Sequence, residues 1–406
     1  MEKPNNGGRL RVTELPAEIL RIILSHSADI GSLDSTVHSC GTLFHAFYAF
    51  PAPIVTAIVQ REIGKDLLFE AARFTRAVDL LRSQNRLVVA NVSFAEFLRR
   101  DQETPHHFRW TLHGAYSVIQ LHEIVKSSSL RIESEIFARI QSIHPHVEIK
   151  PASSTELLRI QRALYRFETY RILFPQHQHL EHDYPDDGSD NMDDLDGGMK
   201  AQMQFLAGSP PWENEQLGCI YESLWRLIAQ VYNDVALHSI KGCRTALYYG
   251  DARIEYLLAR GLKEINDISL CNTWAERHDL LGFDRPDEPV CDFGGFLRET
   301  FEYYEGHCLI EYSQMTGAHK DTHYPVGRDT TEDGPRRTWD WVTQRWSGQP
   351  NFEARKRIVL VMETARLRAC GYVFWDEERM VELGWMNPTL MDWHSDALRF
   401  IDNPPT

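Results

Sequence analysis

The pattern of apolar and polar positions along the chain is helical from end to end. Ile19, Leu20, Ile22, Ile23 and Leu24 recur at the spacing of one short, very apolar helix. Pro16 stands near its first turn, where a missing N–H costs little. After a short break the spaced apolar positions Leu33, Val37, Cys40, Phe44 and Phe47 continue the pattern. Pro51 and Pro53 then punctuate the chain, and Ile54, Ile58 and Val59 predict a helix over 53–62 with Gly64 as its stop. Leu67, Leu68, Ala71, Phe74, Val78 and Leu81 keep a helical period over 65–82. Three more amphipathic helices are predicted near 93–100, 115–126 and 130–143. Ser153-Ser154-Thr155-Glu156 is a capping box in sequence, followed by the periodic run Leu157, Leu158, Ile160, Leu164, Phe167, Tyr170 and Leu173.

The second half reads the same way. Helices are predicted over 199–206, then from Pro210-Pro211 through Leu217, Ile220, Leu224, Leu227, Ile228 and Val231, and over 251–260 with Gly261 as its end. An aromatic stretch at 296–312, a long run at 352–369 and a short one at 377–383 complete the set. The Gly- and Pro-rich segments 282–295 and 316–338 read as loops. Residues 181–198, acidic with almost no apolar anchor, read as a disordered surface loop. No fixed-period repeat is present. The expected fold class is therefore mainly α, without a repeat array: residues 1–12 a flexible lead, 13–50 a small helical module, and 51–406 an irregular α-helical domain.

Composition narrows the function classes. The chain has 406 residues, 43% hydrophobic and 25% charged, which is the balance of a folded protein with room for more than one core. A net charge of -15 argues against a sequence-independent grip on nucleic-acid phosphates. Seven scattered cysteines with no Cys-x-x-Cys pair read as reduced thiols. The polar start, free of an apolar signal run, and the lack of any segment near the ~18 apolar residues of a bilayer span point to cytosol or nucleus.

Eighteen histidines invite a search for metal ligands. His177, His179 and His182 cluster with Glu181 and Asp183, but they lead into the acidic loop, where nothing would fix their orientation. His319 and His323 have helix-like spacing without the His-Glu-x-x-His string. No phosphate loop, dinucleotide fingerprint or nucleophile elbow occurs. No metal, cofactor or catalytic residue is expected. Six tryptophans, Trp339, Trp341, Trp346, Trp375, Trp385 and Trp393, crowd the C-terminal part and are expected in the core, with Trp339 and Trp341 the exceptions beside a polar loop.

The string Leu15-Pro16-Ala17-Glu18-Ile19-Leu20-Arg21-Ile22-Ile23-Leu24, with the spaced apolar positions after it, resembles the F-box, a small helical module that docks on the Skp-type adaptor of a cullin-RING ubiquitin ligase. Later pieces, Leu164–Phe174, Pro211–Gln216 and Cys370–Asp376, are similar to segments of uncharacterised fungal families with an N-terminal F-box-like region. The resemblance implies a substrate receptor that catalyses nothing and holds an unknown protein client, while the charge and the lack of an apolar span lead to the expectation of no nucleic acid and no membrane as partner. It also implies that Leu15, Pro16, Ile19, Leu20, Ile23 and Leu24 form the adaptor-facing helix, and that Leu33, Val37, Cys40 and Phe44 complete the module. Leu20 and Ile23, three apart, are expected to share one face. Two other readings stand beside it: a helical interaction protein in which Glu18, Ile19 and Leu20 face its own core, and an enzyme without a recognisable motif. Loop-closure entropy grows by only about 0.6 kcal/mol per doubling of length. Replacing 181–198 with a short Gly-Ser linker is therefore expected to leave the thermal midpoint nearly unchanged in a melting experiment.

Overall fold

The computed structural model describes residues 11–83, 108–174, 197–236, 253–281, 334–347 and 365–385, with isolated positions at 94, 97, 238, 297, 298, 300, 301 and 304. Among the described residues the protein is mainly α, with helices and turns and no strand. The chain divides into two compact units, one of residues 1–76 and 99–123 and the other of 77–98 and 124–406.

In the first unit, α1 (Ala17–Ser25) starts after Pro16, and Glu18 sits favourably in its first turn. Asp29 caps α2 (Ile30–Ser39), its carboxylate accepting from the Ser32 backbone N–H at 2.7 Å and the Ser32 hydroxyl at 3.1 Å. Cys40, in an extended conformation, makes the corner between α2 and α3 (Gly41–Ala49). Phe50 turns the chain into α4 (Pro51–Ile63), whose proline start suits positions lacking an intrahelical donor. Gly64 ends α4 at φ +83°, a conformation other residues rarely adopt. The four helices pack on one another around Leu20, Leu24, Ile30, Leu33, Val37, Leu43, Ala46, Ile54, Val55, Ile58 and Val59, all buried. Arg61 of α4 donates to the carbonyls of Ser25 at 3.2 Å, Ser27, and Ala28 at 3.3 Å, holding the turn that leaves α1.

Helix α5 (Leu68–Ser83) follows a short 3-10 turn, and α6 (Leu112–Ile143) follows later as a single helix of 32 residues. Two helices were expected across α6. Ser127, Ser128 and Ser129, which lie between the two expected helices, continue the helix, and the hydroxyls of Ser127 and Ser129 return to its own carbonyls at Ile124 and Lys126. The division between units falls inside α5 and α6.

The second unit is built on α7 (Ser154–Leu173) and α9 (Pro211–Ala236), which pack along each other. The capping box at Ser153 and Glu156 forms as the sequence predicts. Glu156 does more than cap: it also accepts from the Asp376 backbone N–H at 2.9 Å and from Arg379 at 2.8 Å. Asp376 in turn accepts from Ser153, Thr155 and Arg159 at 2.7, 3.0 and 2.5 Å. The C-terminal turn is thereby tied to the start of α7. Helix α8 (Gly197–Ala207) precedes α9, whose first turns carry Glu213, Asn214, Glu215 and Gln216, four consecutive polar residues that are all buried. Each has a partner. Arg166 donates to the Glu213 carbonyl at 2.6 Å and to Asn214 at 2.7 Å, Asn214 donates to the Leu206 carbonyl and Tyr304 at 2.8 Å, and Gln216 donates to the Val373 carbonyl at 3.1 Å. Arg368 grips Glu215 through two bonds of 2.9 and 2.8 Å. Gly218 makes room for that grip, since a Cβ there would lie 2.6 Å from the Arg368 Nε.

Helices α10 (Leu262–Leu270), α11 (Trp274–Leu281) and α12 (Gly334–Ser347) pack on α9, and α13 (Glu377–Glu382) packs on α12. The sequence reading assigned no helix to α10 or α11. It placed 334–338 in a loop, yet these residues open α12, with Pro335 in the first turn where it is tolerated. This also corrects Trp339, which is buried, while Trp375 and Trp385 are in the core as expected. Trp375 donates its indole N–H to the Cys370 carbonyl at 2.9 Å. Residues 253–259 and 365–369 are helical, in keeping with the expectations for 251–260 and 352–369. Gly197 and Gly198, placed by the sequence reading in the loop 181–198, open α8, while the rest of that loop, the loop at 282–295, the rest of 316–338, residues 352–364 and most of the helices predicted at 93–100 and 296–312 lie outside the described residues.

A buried pair that loses one partner leaves an uncompensated charge, at a cost of about 3–5 kcal/mol. Glu215→Ala is expected to lower the unfolding free energy by that amount in equilibrium urea unfolding. Replacing the pair together, as Glu215→Leu with Arg368→Met, is expected to recover much of the loss.

Candidate protein-docking surface

Helix α1 carries five large aliphatic residues in nine positions, more than one side can hide. At about 100° per residue, Leu20 and Leu24 fall within one narrow arc and point into the unit, while Ile22, Ile19 and Ile23 fill the opposite arc. The structure leaves these three isoleucines 43%, 55% and 42% exposed for Ile19, Ile22 and Ile23. Leu20 and Ile23 are only about 60° apart by the same geometry, yet they stand on either side of the boundary between inside and outside. The shared face expected for them is therefore divided. Glu18 is exposed beside Ile19, so an inward-facing Glu18-Ile19-Leu20 string holds for Leu20 alone.

Helix α3 extends the apolar surface. Its Leu43 and Ala46 point inward, whereas Phe44, Tyr48 and the following Phe50 are 42%, 76% and 48% exposed. The Phe44 and Tyr48 rings stack at 6.1 Å between centroids. The guanidinium of Arg21 lies over the Phe50 ring at 4.1 Å.

Of the residues implied by the resemblance, Pro16, Ile19, Ile23 and Phe44 are on the surface, Leu15 and Cys40 are half-buried, and Leu20, Leu24, Leu33 and Val37 belong to the interior of the unit. Ile22, Tyr48, Phe50 and Arg21 were not among those residues and join the surface. Ile22 was visible in the helical period. The role of Phe50 follows from its place as the last residue before Pro51, where the chain must turn.

The electrostatics of the unit come from helix ends. The Ser32 backbone N–H and hydroxyl hold the Asp29 carboxyl below its ordinary range. Backbone N–H groups of Leu43 and Thr42 at the start of α3 draw the Cys40 thiol downward. In the second unit burial does the opposite, pushing the Cys370 thiol up to about 11.

The convergent charges around the start of α9 are fixed in complementary pairs, which is the arrangement of a scaffold. No group of three or more His, Cys, Asp or Glu able to hold a metal occurs among the described residues. The clusters at His177, His179 and His182 and at His319 and His323 lie outside them. No single helix among the described residues is long and apolar enough to cross a membrane. Comparison with family models, with curated proteins and with solved structures finds no match for this chain.

Proposed function

We propose that this chain is a substrate receptor of a Skp-cullin-F-box type ubiquitin ligase, working in the cytosol or nucleus, and that it docks on the Skp-type adaptor through α1 and α3. The observation that carries the reading is the outer arc of α1: three isoleucines in five positions, exposed on a helix whose other arc is already committed to the core. Apolar surface concentrated in this way marks an interaction site. In this reading Ile19, Ile22, Ile23 and Phe44 meet the adaptor, while Leu20, Leu24, Leu33 and Val37 hold the helices that present them. The second unit supplies the surface for a protein client, and the chain itself performs no chemistry.

One observation favours a second reading. Leu20, Leu24, Leu33 and Val37 are interior, as they would be in a helical interaction protein whose F-box-like segment serves only its own fold.

Two double variants separate the readings when adaptor pull-down and thermal unfolding are measured on both. Ile19→Ala with Ile23→Ala is expected to weaken adaptor binding by at least about thirtyfold, the loss of a hot spot worth about 2 kcal/mol. Its melting curve should move far less than that of the inner-arc variant, because side chains already about half exposed give up only about 1 kcal/mol per site. Leu20→Ala with Leu24→Ala is expected to destabilise the fold by about 2–5 kcal/mol per site. A wild-type chain that does not capture the adaptor, or an outer-arc variant that captures it as well as wild type, sinks the receptor reading.

A further inference from the structure

The surface of the first unit holds a cation against an aromatic ring beside the isoleucine strip of α1. Arg21 lies on α1 between the inner and outer arcs, half-buried, with its guanidinium 4.1 Å from the centre of the Phe50 ring. Among the described residues it forms no ion pair, although Glu18 is one turn away on the same helix, at a spacing where such pairs form readily. Arg61, an exposed arginine of the same unit, has its donors occupied by the Ser25, Ser27 and Ala28 carbonyls. Arg21 thus sets its guanidinium over a ring beside Ile22.

A ring contacts the π-face of a guanidinium and leaves its N–H donors, which form the fork that matches a carboxylate. Contact with Phe50 restricts the side chain before a partner arrives, so a carboxylate meeting it costs less freedom than one meeting an unrestrained arginine. An apolar strip alone attracts any greasy surface, whereas a fixed cation at its border rejects partners with a cation opposite and selects those with an acid there.

Resting on the receptor reading above, we propose that Arg21, stacked on Phe50, is the specificity-determining residue of the docking surface and takes an Asp or Glu carboxylate of the Skp-type adaptor. The adaptor face that fits is apolar opposite Ile19, Ile22 and Ile23 and acidic at the edge nearest Phe50.

The test titrates the purified full-length chain with the purified adaptor at several salt concentrations, with melting curves for every variant. Arg21→Glu is expected to raise Kd about thirtyfold or more and to abolish the weakening of binding by salt, whereas Arg21→Lys, which keeps the charge and loses the fork, raises it about tenfold. Among single Asp→Arg and Glu→Arg adaptor variants, one is expected to bind Arg21→Glu better than the unaltered adaptor does. That rescue is a readout that a merely structural role of Arg21 would not produce, and where Arg21→Glu melts early the Arg21→Lys titration and its salt dependence decide. Wild-type binding with Kd and salt dependence unchanged in the Arg21 variants overturns this assignment and leaves the receptor reading standing. A wild-type chain that binds no adaptor overturns both.

Discussion

A buried charge must be matched inside the protein or it does not stay charged, and the second unit is arranged around that requirement. The first turns of α9 place Glu213, Asn214, Glu215 and Gln216 in the interior one after another, so their side chains radiate to every side of the helix. Partners therefore have to arrive from all directions. They come from α7 through Arg166, from the end of α8 through the Leu206 carbonyl, and from the C-terminal segment through Arg368 and the Val373 carbonyl. The Glu156 and Asp376 carboxylates repeat the device at the start of α7, joining residues more than two hundred positions apart. Pairing of this kind adds less net stability than hydrophobic packing, but a misplaced segment would leave a charge unmatched, which penalises every alternative arrangement.

Helices α1 to α4 follow the opposite logic. Their interior is aliphatic and they are short, so nothing polar dictates which side of α1 faces in. A helix with apolar residues on every side is ordinarily covered on every side. Helix α1 carries apolar residues on both its arcs, and only one arc is covered. Polar partners fix the orientation of the starts of α7 and α9, whereas packing alone decides which arc of α1 faces in.

That difference explains how much was legible in the sequence. Signals carried by local chemistry were readable: the Ser153–Glu156 capping box, the stop at Gly64, and the proline starts of α4 and α9. The start of α11 carried such a signal too, since Thr273 caps the Glu276 N–H and meets its carboxylate, a Thr-x-x-Glu string passed over in a polar stretch. Elsewhere a local cue lost to context. The serines inside α6 bond back to the helix, and Gly334-Pro335, a turn signal in isolation, opens α12 because Trp339 and Val342 are buried behind it. On α1 the period identified the apolar residues correctly, but it cannot tell which arc meets the rest of the chain. Leu20 inside and Ile23 outside is a tertiary outcome.

Magnitudes also set how large the docking surface has to be. Fully burying an aliphatic side chain contributes about 1.5–3 kcal/mol, so three isoleucines already about half covered have roughly 2–4 kcal/mol left to give. A micromolar complex requires about 8 kcal/mol net, after association has cost at least several kcal/mol in lost freedom. For such a complex the α1 strip alone would fall short. Phe44, Tyr48 and Phe50 would supply the missing area, because aromatic rings bring the largest buried surface per residue and have few rotamers to lose. Isoleucine contributes in the same sense, since its branched Cβ leaves one preferred rotamer in a helix and little entropy to surrender on docking. The exposed residues of this unit are therefore of the types that lose least freedom when a partner covers them, and any such partner must reach from α1 across to the aromatic end of α3.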